Sequence, residues 1–171
     1  MNTFDIIRDR WSVRSFEDVP VKKDDLDAVL EAGRLAPTAK NQQPIHIYVL
    51  ESDEALACVD RATSCRYGSR TVLLVAALTD KVWVNPFDEG HTSVDVDPTI
   101  VADAMILTGW ERGVGSCWVD HFDPEVLQKG LDLGINERPV HLIPLGYPAE
   151  GARPAPRHFV RKSLDELVTR K

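Results

Sequence analysis

Cysteine is scarce: Cys58, Cys65 and Cys117 are the three in a chain of 171 residues. The number is odd and no two stand in CxxC spacing, so neither a disulfide framework nor a zinc site is expected and reduced thiols are the default. The histidines, His46, His91, His121, His141 and His158, are scattered without ligand-like intervals, which argues against a metal centre. Long apolar runs are missing too. No stretch approaches the roughly 20 residues of a membrane span, and residues 1–10 read as an amphipathic segment rather than an apolar leader behind a basic start. A cytoplasmic protein without a membrane partner is the expectation. Positive charge is in deficit, with 20 Lys and Arg against 27 Asp and Glu and a net charge of −7. A nucleic-acid partner needs clustered basic excess, so none is expected. Basic residues that matter here must be locally concentrated.

What is present is a globular composition, 43% hydrophobic and 27% charged, enough for one domain over residues 1–171 with one substantial core. No internal repeat or low-complexity run divides it. Thr3 is placed to cap a short helix carrying Phe4, Ile7 and Trp11 on one face and ending near Trp11. Asp24 and Asp27 read as a capping pair for a helix with Leu26, Val29, Leu30 and Leu35 at helical spacing, with Gly33 and Pro37 as stop signals. Residues 45–50 and 71–78 are apolar, rich in β-branched side chains and of strand length, with a helical pattern over 52–60 between them. From 82 to 96 the pattern dissolves into a loop or short excursion.

Asp97-Pro98 is a helix start, a cap followed by proline at the first helical position, and the helix runs over 99–112. Its apolar residues, among them Ile100, Val101, Met105 and Trp110, lie around most of the circumference. Such a helix is buried, and in a chain this small it points to a subunit interface. Asp123-Pro124 starts a further short helix, 140–145 reads as a strand, and Ser163 to Glu166 forms a capping box for a last helix. The mixture predicts an α/β or α+β class.

Three segments carry candidate chemistry. Arg8 to Ser15 packs three arginines and two hydroxyls into eight residues of an acidic protein. Arginine forks with hydroxyls make a phosphate site, and the competing reading is a solvated basic helix end. Ala36 to Pro44 is rich in amides and small residues ahead of a strand. Amide side chains offer donors and acceptors suited to the polar edge of a heterocycle, and the competing reading is a polar turn. Gly113-Val-Gly115-Ser-Cys-Trp118 is neither a dinucleotide fingerprint nor a P-loop, because it follows a helix and lacks the Gly-Lys-Ser/Thr ending. Gly113 reads as a C-cap that turns the chain.

In order and spacing, these segments resemble the nitroreductase family. Arg10-Trp-Ser12-Val-Arg14-Ser-Phe16 is similar to its Arg-x-Ser-x-Arg-x-Phe opening. Ala36-Pro37-Thr38-Ala39-Lys40-Asn41-Gln42-Gln43-Pro44 is similar to its Ala-Pro-Ser-x-x-Asn-x-Gln-Pro motif, and Gly113 to Trp118 to its Gly-x-Gly-x-x-Trp turn. Leu145-Gly-Tyr-Pro148 and Arg161 to Glu166 resemble its ending. The resemblance implies an α+β fold, a three-layer sandwich with a central, mainly antiparallel sheet flanked by helices, in a homodimer with FMN at the interface. By position, Arg10, Ser12 and Arg14 hold the FMN phosphate and ribityl chain with Arg161, and Trp11 lends its backbone. Pro37, Thr38, Ala39, Asn41 and Gln43 lie along the isoalloxazine from the partner chain. The segment Trp118, Val119, Asp120, His121 presents a backbone N–H to flavin N5.

The implied activity is ping-pong hydride transfer from NADH or NADPH through the flavin to nitroaromatic, quinone or related electron-poor small molecules, with no side chain needed as a nucleophile. Two other outcomes share the fold, a non-catalytic flavin-binding sensor or carrier and a flavin enzyme with other reductive chemistry. The sequence departs from the family at Asp120-His121, which replaces an often small pair beside N5, and at Lys40, which adds a charge near the second motif. A cation near flavin N1 has two candidates, Arg66 and Arg70, both also explained as strand-end charges.

Overall fold

Residues 71–78 are apolar at nearly every position because both faces of that strand are covered. The computed structural model describes residues 2–171. In chain order it contains α1 (Thr3–Asp9), α2 (Lys23–Leu35), β1 (Ile45–Leu50), α3 (Asp53–Ala62), β2 (Thr71–Leu78), β3 (Val84–Asn85) and β4 (Asp88–Thr92). There follow α4 (Val96–Glu111), β5 (Gly115–Ser116), α5 (Pro124–Gly130), β6 (Glu137–Gly146) and α6 (Leu164–Leu167). The main sheet has the order β1-β2-β6-β5, antiparallel throughout.

Alternation along β2 divides the core. Leu73 and Val75 point to one face and join Val29 of α2 with Val101 and Met105 of α4. Val72 and Leu74 point to the other and join Leu56 and Val59 of α3 with Leu127 of α5. Helices thus cover both faces of an antiparallel sheet, the α+β three-layer arrangement expected from the sequence. Leu73 and Leu74 are fully buried, and truncating either to alanine would cost on the order of 3 kcal/mol through lost transfer energy and a cavity.

Several local expectations are corrected. Asn2, not Thr3, caps α1, its side chain accepting from the N–H of Asp5 at 3.0 Å. The predicted inward face of α1 is reversed: Ile6 is buried, whereas Phe4 and Ile7 are 72% and 55% exposed. Asp24 and Asp27 form no cap; Lys22 is the N-cap without a side-chain bond, and Asp27 pairs with Lys23. Gly33 does not stop α2 but lies within it, since a Cβ there would stand 2.9 Å from the Met105 side chain. It is a packing glycine at the α2–α4 contact.

The long helix starts one residue earlier than predicted, at Val96 with Asp95 as N-cap, and Asp97 turns inward instead of capping. Residues 82–96 hold a small hairpin, β3 with β4, that the sequence pattern did not reveal. The C-terminus of α4 follows its prediction. Gly113 has φ +78°, its N–H reaches the Trp110 carbonyl at 3.0 Å and that of Val114 reaches Gly109 at 2.8 Å, a Schellman ending that turns the chain into β5.

Candidate functional site

The first motif lies beyond α1. Arg8 ends the helix and is neutralised by Asp5 and Asp9. From Arg10 the backbone is extended, and in extended chain residues two apart share a side. Arg10, Ser12 and Arg14 therefore fall together while Val13, fully buried, points to the core. Ser12 bridges Ser116, and the N–H of Val13 donates to the Ser116 carbonyl at 2.9 Å. Gly115 permits that approach: a Cβ on it would stand 2.6 Å from Val13 Cγ2. Gly146, whose Cβ would meet Phe16 at 2.9 Å, does the same one strand further on. The glycines of the third motif thus seat the first.

A cavity of about 620 Å³ opens over this segment, lined by Arg10, Trp11, Ser12 and Arg14 and closed by Ala155, Pro156, Arg157, His158 and Arg161 of the C-terminal tail. Four of its residues are arginines. Elsewhere Arg8, Arg34, Arg66, Arg70, Arg112 and Arg138 each meet a carboxylate. Among the described residues, Arg10, Arg14, Arg157 and Arg161 meet none. Four uncompensated guanidinium groups converging in a chain of net charge −7 repel one another unless an anion joins them. Their field reaches inward as well: burial pushes the Cys117 thiol up, against the opposing pull of Arg14 and Arg10. Cys117 is 2% exposed and serves as packing.

Beside the cavity a second hollow of about 670 Å³ shares Trp11, His158 and Arg161 and is walled by Phe4, Ile7 and Phe159. Phe159 is 72% exposed, matching Phe4 across it.

The second motif is elsewhere. None of Pro37, Thr38, Ala39, Asn41 and Gln43 lines the basic cavity of its own chain. They form a tight loop at the start of α4, where the N–H of Ala39 donates to Asp97 Oδ1 at 2.9 Å and that of Gln43 to Thr38 Oγ1 at 3.0 Å. Lys40, Asn41 and Gln43 have φ of 51°, 56° and 51°, a left-handed region that side chains other than Asn and Asp avoid.

In the segment after the third motif, Val119 is exchanged both ways with Leu142, its N–H donating at 2.9 Å. That donor is already engaged, so an N–H offered by this segment to a ligand is not that of Val119. Trp118 Nε1 donates to Asp120, whose Oδ1 lies 2.7 Å from His141 Nδ1. The His121 carbonyl accepts from Thr63 Oγ1 at 2.6 Å.

With that geometry in hand, comparison with known proteins is decisive. The profile of the Nitroreductase family matches residues 7–67 and 61–147. The chain belongs to the nitroreductase family. The crystal structure of a nitroreductase family protein from Clostridium difficile 630 is 33% identical, covers 99% of this chain and 98% of its own, and superposes with a TM-score of 0.92. A curated relative from Archaeoglobus fulgidus, provisionally named NADH dehydrogenase/NAD(P)H nitroreductase, is 28% identical over 85% of this chain and 84% of its own. A chain from Exiguobacterium sibiricum solved in complex with FMN is 17% identical, with 100% and 98% coverage and a TM-score of 0.85, a likeness of fold.

In this nitroreductase-family chain, sequence reasoning brought Arg10, Trp11, Ser12, Arg14 and Arg161 to one cavity and missed Arg157 and His158. The signal was available, since Arg157 stands four residues before Arg161 in a Pro-rich tail. Asp97 was read as a cap and is a buried tether. Arg66 and Arg70 are structural: Arg66 donates to both Asp60 oxygens and to the Ser69 carbonyl, and Arg70 pairs with Asp53.

Proposed function

We propose that this protein is an FMN-dependent oxidoreductase that takes hydride from NADH or NADPH and passes it to nitroaromatic, quinone or related electron-poor acceptors in a ping-pong cycle. The observation that carries this reading is the set of four carboxylate-free arginines gathered with the Ser12 hydroxyl in one cavity. Guanidinium forks bind phosphate bidentately, and a hydroxyl fills the remaining acceptor position. The donor set therefore fits the phosphate end of FMN. When bound, FMN supplies a ring that accepts hydride at N5 and gives it up again on the same face.

The chain's own residues bind and orient. Arg10, Arg14 and Arg161 neutralise the phosphate, Arg157 adds a fourth charge, and Trp11 lends backbone beside it. Trp118, Asp120 and His121 border the reacting edge, with the N–H of Val119 held in the sheet. Pro37, Thr38, Ala39, Asn41 and Gln43 serve a site completed by a second copy, which accords with their distance from the cavity of their own chain. A homodimer also accounts for the apolar side chains left exposed on the two terminal segments, Phe4, Ile7, Phe159, Val160, Leu164 and Leu167. Among the described residues no helix is long and apolar enough to cross a membrane, and the assignment to the cytoplasm rests on the sequence reading alone.

The test is a spectrum and an assay. The purified protein is expected to be yellow, or to become so with added FMN, and to oxidise NADH or NADPH when given a nitroaromatic or quinone. A colourless preparation that takes up no added FMN overturns the proposal. Yellow protein without nicotinamide-driven reduction replaces it with a sensor or carrier.

A further inference from the structure

Outside the basic cavity, one polar cluster is built on a buried titratable side chain. His141 is 6% exposed and sits in β6 where the register with β2 shifts: Val75 faces His141 but Ala76 faces Pro139, so Val140 is an extra residue. Such a bulge re-aims the neighbouring side chain. Three groups meet the ring. Nδ1 lies 2.7 Å from Asp120 Oδ1, Nε2 lies 2.9 Å from Thr99 Oγ1, and Trp118 Nε1 stands 3.0 Å from Nδ1 and 3.1 Å from Asp120 Oδ1. Thr99 Oγ1 is also 2.6 Å from the Asp95 carbonyl oxygen.

Counting protons assigns the state of this ring. A hydroxyl carries one proton and a carbonyl none, so Thr99 donates to Asp95 and must accept from Nε2. Asp120 Oδ1 and Nδ1 likewise need a proton between them, which the ring supplies, leaving the Trp118 N–H to the carboxylate. A neutral ring in either tautomer sets two lone pairs against each other at one of these contacts. Among the described residues no other carboxylate bonds the ring. Asp95 pairs through its side chain with Arg138, Asp97 holds Ala39, Glu137 is engaged by His46 and Tyr48, and β2 offers the apolar Val75.

We infer that His141 is held as an imidazolium by Asp120, and that this pair supplies the proton which the electron-poor acceptor takes up together with hydride. The inference rests on the function proposed above, which sets residues 118–121 at the reacting edge. Each hydride delivered to a quinone leaves an oxyanion that must gain one proton. The electron pair comes from NADH or NADPH, which leaves oxidised. The proton comes from His141 Nδ1 by way of Asp120, and the neutral ring is recharged from solvent along the same route. Asp120 suits both ends of that path: Oδ1 is fixed by His141 and Trp118, Oδ2 bonds no described residue, and its side chain is 63% exposed. Trp118 and Thr99 act as positioning residues.

The experiment has two arms. In nitrogen NMR of the labelled chain near neutral pH, with and without flavin, both ring nitrogens of His141 are expected to carry protons, and Asp120→Asn to leave one. In rapid mixing of the flavin-loaded, reduced protein with a quinone, Asp120→Asn is expected to slow acceptor reduction on the order of 100-fold and to change its solvent deuterium isotope effect, the loss falling on the acceptor step rather than the NADH step. A singly protonated ring in the wild-type chain overturns the inference, as does an Asp120→Asn acceptor rate equal to wild type. If the chain binds no flavin, the functional reading fails separately, and the ring spectrum still decides the imidazolium.

Discussion

The backbone N–H of Ala39 donates to Asp97 Oδ1 at 2.9 Å, and Asp97 is 1% exposed. That bond ties the second motif to the first turn of α4, where the helix dipole favours a carboxylate. The loop it holds needs a tether, because Lys40 and Gln43 sit at positive φ, each at a cost of order 1–3 kcal/mol unless the surroundings over-determine it.

Asp97→Ala is therefore expected to lower the unfolding free energy by about 2 kcal/mol, the value of a hydrogen bond to a charged acceptor, and to speed amide exchange at Ala39. Asp97→Asn keeps an oxygen at the Oδ1 position and should lose much less. Urea unfolding with hydrogen exchange reads both, and an alanine variant as stable and as protected as wild type refutes the tether.

Gly115→Ala places a methyl 2.6 Å from Val13 Cγ2. Val13 is buried and β-branched, so it cannot rotate away, and overpacking of this kind costs roughly 1–3 kcal/mol. Because Val13 lies between Ser12 and Arg14, the same change should weaken anion binding in the cavity. Gly90→Ala, whose nearest neighbour would be the flexible Asp88 side chain at 3.4 Å, is the matched control and should leave the melting temperature unmoved.

Arg14→Gln and Arg161→Gln are expected to weaken FMN retention about 10- to 100-fold each, from roughly 1.5–3 kcal/mol per charged hydrogen bond, with little effect on folding because neither guanidinium meets a carboxylate. Arg66→Gln should do the reverse, since it breaks bonds to Asp60 and Ser69. Fluorescence titration of FMN alongside thermal melts separates the two outcomes, and equal behaviour of the three variants would be the damaging result.

The pair Tyr48–Glu137 makes stability depend on pH at both ends. The Tyr48 hydrogen bond, with help from His46 and the Gly134 N–H, holds Glu137 below its ordinary value despite burial. That contribution is present above the ordinary value of 4.5 and is lost as pH falls through the depressed folded value. Burial, with Glu137 adding to it, pushes Tyr48 from 10.0 up to about 12. A raised value stabilises fully below 10.0, and the benefit fades as pH rises from there toward 12. Urea midpoints measured against pH should show Tyr48→Phe flattening the alkaline limb and Glu137→Gln the acid limb.

Much of the fold was legible. The β2 and β1 runs could be bounded because two-sided burial writes itself as continuous apolar sequence, and Asp123-Pro124 announced α5 through cap and proline chemistry that is local to four residues. Cap readings failed where a polar residue had a better tertiary partner. Asp97 looked like a cap because Asp-Pro is one elsewhere, but its carboxylate went to Ala39, 58 positions away in the chain. Gly33 looked like a stop because a lone glycine weakens a helix, yet the approach of Met105 decided its role. The hairpin over residues 84–92 escaped because its strands are short and mostly exposed, so no apolar alternation marks them.

By itself the sequence determined the strands that bury two faces, the ordered motifs of the family, and the Arg10, Ser12, Arg14 triplet, which an extended backbone places on one side by its two-residue period. Only the tertiary structure decided that Arg157 and Arg161 of the tail close over that triplet, and that Thr99, Asp120 and His141 meet. Those encounters join residues far apart in the chain, and what brings them together is the packing of α4 and the antiparallel sheet, which leaves no local trace in the residues that finally touch.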